Sequence, residues 1–191
     1  VKFQNYDRHE IHHEFQNKPE LQEKDKHAPI SLQQKRTLRD LALDHGLEFV
    51  CTPFKTRKRL LELARLKPYA IKIRFKDGPN GGASDGLGLV DPAIDSRNIR
   101  HVFASCMVPP FDKPSIMWNP KVRWLQCLPL YPPRLEDFEP ARSTGFHGIS
   151  DHYPHISTTL LAAALTRYDE YIVEKHVTFD KDDPVPDQAV S

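Results

Sequence analysis

Two short segments late in the chain carry the residue types best suited to chemistry. Gly148-Ile149-Ser150-Asp151-His152 and Glu174-Lys175-His176 each stand where an apolar run gives out into polar residues. In a parallel α/β arrangement such places are the C-terminal strand ends, where active sites assemble. Two imidazoles on adjacent strand ends, His152 and His176, can converge on one divalent cation. Carboxylates and water then complete a shell suited to manganese, magnesium, zinc or iron. Histidines that merely hydrogen-bond within the rim are the competing reading of the same pair. Three lysines also stand inside apolar, strand-like runs: Lys2, Lys72 and Lys175. An ammonium aimed at the mouth of a sheet holds an anion such as phosphate or carboxylate, whereas an outward, snorkelling lysine does not.

These residues need elements to place them. Segments with strand character run over Leu47 to Cys51, Tyr69 to Phe75, His101 to Ser105, Val122 to Leu128, Phe146 to Ser150 and Glu170 to Val177, and Val1 to Gln4 resembles the end of a further one. A helix opens at Ser31 with Gln34 as a capping box and closes at Gly46, and Leu38, Leu41, Ala42 and His45 are expected on its packed face. A second is expected from about Lys58 to Leu66, and a third, over Thr158 to Arg167, joins the last two strands. Strands alternating with helices predict parallel βαβ units. Between Gly78 and Pro120 the glycines and prolines leave no helix legible, so later helices are expected to be shortened to loops or missing.

At 191 residues the chain is expected to form one domain, residues 1–191, with a single sizeable core. The balance of 27 basic and 26 acidic residues leaves a formal charge of +1 and no basic stripe, which argues against nucleic acid as a partner. No apolar run approaches the roughly 18 residues that cross a bilayer, so no membrane is expected and a cytoplasmic protein is the default. Cys51, Cys106 and Cys127 form an odd set without CxxC spacing, hence neither a disulfide framework nor a thiolate zinc site is expected. The opening at Val1 inside a strand-like segment suggests an incomplete N-terminus.

The motifs VKFQ at 1 to 4, CTPF at 51 to 54, AIKI at 70 to 73, LQCLPLYP at 125 to 132, GISDH at 148 to 152 and EKHVTFD at 174 to 180 occur in order. Together they resemble the successive strand-end motifs of the sialic acid synthases, over nearly the whole chain. The resemblance implies a (β/α) TIM-type barrel, incomplete or with shortened helices. It implies condensation of phosphoenolpyruvate with the open-chain aldehyde of an N-acyl mannosamine-type sugar, giving a nonulosonic acid and phosphate. Carried over motif by motif, His152 and His176 would hold a divalent metal, manganese or magnesium, which polarises the aldehyde. Lys2, Lys72, Ser105 and Ser150 would hold phosphoenolpyruvate. Gln4, Asp77, Tyr131 and Asp187 match sugar-contacting positions of this N-acyl hexosamine, and Glu174 could shuttle a proton, with Lys2 also at the reacting centre. The resemblance leaves a homodimer open.

The chain departs from the family pattern at named places. Arg74-Phe75 stands where the family has x-Ser after Lys-Ile, Ser105-Cys106-Met107 lacks the family's glycine, and Pro129 replaces an asparagine. The family's first strand has no counterpart before Val1, nor is its C-terminal antifreeze-like domain found. These departures motivate an alternative, a barrel that binds a sugar or phosphate without turning it over. A second alternative is a zinc metalloprotease, because His9-Glu10-Ile11-His12-His13 satisfies H-E-x-x-H. That motif belongs on a half-buried helix, and the polar stretch from Asn5 to Lys26 with Pro19 suits a solvent-facing loop better.

Overall fold

The computed structural model describes residues 2–3, 31–53, 56–74, 84–107, 114–128, 130, 132–138, 145–165 and 170–177. Their order is β1 (Lys2–Phe3), α1 (Leu32–Asp44), β2 (Val50–Cys51), α2 (Arg57–Ala64), β3 (Ala70–Arg74), α3 (Ser84–Asp95), β4 (His101–Cys106), α4 (Pro114–Met117), β5 (Val122–Cys127), a 3-10 turn (Leu135–Asp137), β6 (Gly148–Asp151), α5 (Ser157–Leu165) and β7 (Ile172–Lys175). All seven strands pair in parallel and in chain order. The sheet curls as a half-barrel, and among the described residues no ladder joins β7 back to β1. Each expected strand is present, usually trimmed by a residue or more at its ends. Phe75, Gln4 and Val1 lie outside the described residues.

Crossovers between parallel neighbours are right-handed, so consecutive helices collect on one face of the sheet. The core lies there. Leu60, Leu63 and Ala64 of α2 and Leu89, Val90 and Ala93 of α3 pack on Ile71 and Ile73, Val102, Ala104 and Cys106, and Val122 and Trp124. Strand side chains alternate between faces. The alternate residues of these strands, Lys72, Ser105, Leu125 and Cys127, and their register partners Ser150 and Glu174 on β6 and β7 therefore share the opposite face, and this alternation is what delivers a polar site without interrupting the core.

Helix α1 begins as its sequence requires. Gln34 N donates to Ser31 Oγ at 3.2 Å and Ser31 N to Gln34 Oε1 at 2.8 Å, completing the capping box. It ends at Gly46, whose φ of +68° is the left-handed conformation that a Cβ resists, with Leu47 N donating to Ala42 O at 2.8 Å. Its packed face differs from expectation. Lys35 and Ala42 are buried and Leu38 packs on the core, whereas Leu41 and His45 are exposed.

The absence of helices in the middle of the chain is also corrected. Helix α3 spans Ser84–Asp95 despite Gly86, Gly88 and an internal Pro92, and α4 follows at Pro114–Met117. Burial of Leu89, Val90 and Ala93 outweighs the poor propensity, because tertiary packing supplies most of a short helix's stability. Lys121 Nζ then takes the carbonyls of Ala93, Ile94 and Ser96 at 3.1, 2.7 and 2.7 Å, closing the helix end. The three cysteines are buried thiols. No described helix is long and apolar enough to cross a membrane.

Candidate functional site

Strands β3 to β7 end side by side, and the polar residues of their open face meet there. Lys72 Nζ on β3 donates to Ser105 Oγ on β4 at 2.8 Å and forms an ion pair with Glu174 Oε1 on β7 at 3.0 Å. Ser150 Oγ on β6 donates to the same Glu174 oxygen at 2.6 Å. Four strands thus contribute to one chain of hydrogen bonds. The lysine and glutamate side chains are only 5% and 16% exposed. A buried pair of this kind holds because both charges are satisfied; removing either leaves the other costly.

The arrangement depends on close strand contact. A Cβ at Gly148 would lie 1.9 Å from Ile172 O, so β6 and β7 approach as they do only because that position has no side chain. Register pairs Ser150 with Glu174 and Asp151 with Lys175. One residue beyond β6 and one beyond β7 stand His152 and His176, on the same face as Ser150 and Glu174. Their ring centroids are 5.4 Å apart at an interplanar angle of 47°.

His152 is nearly fully buried. Burial, reinforced by the neighbouring His176 and Lys72 charges, lowers its pKa to about 4, so the ring is neutral near pH 7. Its Nδ1 lies 3.1 Å from Leu128 O. A carbonyl only accepts, so Nδ1 carries the proton and the lone pair is on Nε2. This is the tautomer and the outer-sphere carbonyl that a metal-binding imidazole uses. The thiol of Cys127, 4.0 Å from the same Nδ1, is pushed up in pKa by burial and stays protonated.

Among the described residues no group of three or more His, Cys, Asp or Glu side chains could hold a metal ion. His152, neutral and held in one tautomer, nevertheless fits as one ligand of a larger shell, and the His176 ring is close enough for one cation about 2.1 Å from a nitrogen of each. Water or substrate oxygens would supply the remaining positions.

Of the residues singled out by sequence, Lys72, Ser105, Ser150, Glu174, His152 and His176 come together. Lys2 lies in β1, next to β2 and two strands from Lys72; its side chain is outside the description. Gln4, Asp77, Tyr131 and Asp187 lie outside the described residues, as do Pro129 and the His9-Glu10-Ile11-His12-His13 motif. Lys175 faces the other way. Its Nζ pairs with Asp151 Oδ2 at 3.5 Å and donates to Tyr153 O, on the helix side of the sheet.

Two residues escaped the sequence. Thr52 follows β2 with the parity of Val50, which sets it beside Lys72 on the open face, and its buried Oγ1 has no hydrogen-bond partner among the described residues. Arg134 lines a small pocket with Gln126, Ser150, Asp151, His152 and Tyr153. Neither carries a sequence signal, since a lone hydroxyl or loop arginine has no period or motif. No protein-family model matches the chain, and no curated protein is significantly similar to it.

Proposed function

We propose that the chain is a barrel of the sialic acid synthase type, condensing phosphoenolpyruvate with an N-acyl mannosamine-type aldehyde to give a nonulosonic acid and phosphate. The observation that carries this reading is the Lys72–Glu174 pair, bridged to Ser105 and Ser150 and set beside the His152–His176 pair. An ammonium and two hydroxyls can bind a phosphate or carboxylate, while two adjacent imidazoles, one of them kept neutral by burial, suit a divalent cation.

In this mechanism Lys72, Ser105 and Ser150 bind the anionic groups of phosphoenolpyruvate, with the ammonium turning from Glu174 toward the ligand. The methylene carbon attacks the aldehyde carbon, and the aldehyde oxygen takes up a proton. Water then adds at the former enol carbon, one of its protons passing through Glu174 to the aldehyde oxygen and the other to the phosphate, which leaves as the C–O bond breaks and the ketone forms. A divalent cation, manganese or magnesium, held by His152 and His176 would polarise the aldehyde as a Lewis acid. Burial around Lys72 keeps the pair in a low-dielectric setting, which strengthens its field at the developing charge.

The test is phosphate release from phosphoenolpyruvate by the purified chain. Release that requires both an N-acyl hexosamine and added manganese is the expected result. Release without the sugar, or none in the presence of all components, overturns the reading. If phosphoenolpyruvate binds without turnover, the chain is instead a binding barrel.

A further inference from the structure

We infer that Asp151 and Lys175 are positioning residues, whose pairing on the helix side of the β6–β7 ladder holds His152 and His176 within reach of one cation. The inference rests on the metal reading above and assigns a task to two charged residues that the proposed chemistry does not use. Asp151 and Lys175 are register partners, and each is followed immediately by one of the histidines.

The Asp151 carboxylate is 4% exposed and heavily bonded. Its Oδ1 accepts from Tyr153 N at 2.9 Å, and its Oδ2 accepts from Thr158 Oγ1 at 2.9 Å, Thr159 Oγ1 at 2.6 Å and Lys175 Nζ at 3.5 Å. Lys175 Nζ donates in turn to Tyr153 O. Tyr153 is therefore pinned at its N–H by Asp151 and at its carbonyl by Lys175. His152 sits inside that closed turn. The two threonines belong to the first turn of α5, so the same carboxylate anchors helix, β6 and β7 at one point.

The ladder alone is a weak guarantee of this geometry. It pairs only Gly148 to Asp151 with Ile172 to Lys175, and its last rung is where fraying would begin. A slip of one residue would send His176 to the other face of the sheet. A charge pair at the final rung opposes both, because the buried Asp151 would lose its charged partner in any other register. Outer-shell residues bonded directly to a metal ligand commonly change metal affinity by about 10- to 100-fold when altered, and this pair acts on His152 through the backbone of Tyr153.

Cobalt(II) titration followed by its d–d absorption tests the inference on the full chain. Wild type should bind one equivalent. Asp151→Asn and Lys175→Met should each weaken binding at least about tenfold and alter the band shape while remaining folded by circular dichroism. Val173→Ala, a change at a partly exposed neighbour on β7, should bind as wild type does. Should Asp151→Asn fail to fold, Lys175→Met carries the test, since its apolar stem retains most of the lysine's packing. Wild-type affinity and spectrum in Lys175→Met overturn the positioning role and leave the metal reading standing. A wild-type chain that does not bind cobalt overturns the metal reading and this inference together.

Discussion

The two faces of the same strands are built on opposite principles. On the helix side, Ile71, Val102, Trp124 and their neighbours are closed against α2 and α3 by apolar contact. On the open side, Lys72, Ser105, Ser150 and Glu174 are nearly as buried but are held by charge and hydrogen bonds. Apolar burial stabilises the fold at about 25 cal/mol per Å², whereas a buried ion pair roughly breaks even. The helix side therefore supplies stability and the open side spends little of it to keep a charged site preorganised. Substitutions on the two faces should separate accordingly.

The sharpest break of that contrast is Trp124→Ala. Trp124 is fully buried and its Nε1 donates to Met117 O at 3.1 Å. Loss of about 3–5 kcal/mol of unfolding free energy is expected, measured by urea denaturation. A loss below about 1 kcal/mol would mean the helix-side core is not what holds the sheet.

Next comes the Lys72–Glu174 pair. Lys72→Met should cost roughly 3 kcal/mol, at the low end for breaking a buried pair because Glu174 retains some solvent, and should abolish phosphoenolpyruvate binding. Adding Glu174→Gln should recover most of the stability and none of the binding. Recovery of binding in the double variant would remove Lys72 from its assigned task.

A smaller effect is expected at His147, whose Nδ1 accepts from Trp124 N at 3.1 Å. Burial, aided by Arg123, lowers this imidazole's pKa to about 4. The unfolded value is near 6.5, so above that pH neither state is charged and the group is silent. Below it the unfolded chain takes up a proton the folded chain refuses, and stability falls as pH drops from about 6.5 to about 4. Roughly 2 kcal/mol of the loss should disappear in His147→Gln, read as the difference in denaturation midpoint between pH 7 and 4.5. An unchanged pH dependence would show that the ring titrates normally.

Much of this contrast is legible in the sequence, and the reasons for the rest are physical. Strands β3 to β6 announce themselves as apolar runs because most of their side chains are buried, and α1 is announced by Ser31 and Gln34. Helix α3 is not, since Gly86, Gly88 and Pro92 give contrary local signals that only the contacts of Leu89, Val90 and Ala93 overrule. Ser150, Glu174, His152 and His176 stand out as polar types at strand ends, and Lys72 as a lysine inside an apolar run. Which lysine faces the site is not legible from type alone. Lys72 and Lys175 both interrupt apolar strands, and pairing register is what sends one to Glu174 and the other to Asp151.

Thr52 offers the finest division between the faces. Its hydroxyl is buried, carries no hydrogen-bond partner among the described residues and sits on the open side next to Lys72. A buried, unsatisfied hydroxyl costs about 1–3 kcal/mol, so Thr52→Val should leave stability unchanged or raise it by up to about 1 kcal/mol. If that hydroxyl is reserved for an anion beside Lys72, the same change should weaken phosphoenolpyruvate binding about tenfold, one lost hydrogen bond to a charged group. Calorimetric titration reads the affinity and urea denaturation the stability, so the two effects separate: affinity falls while stability holds or rises. A variant that loses stability and keeps its affinity would place Thr52 with the core instead of the site.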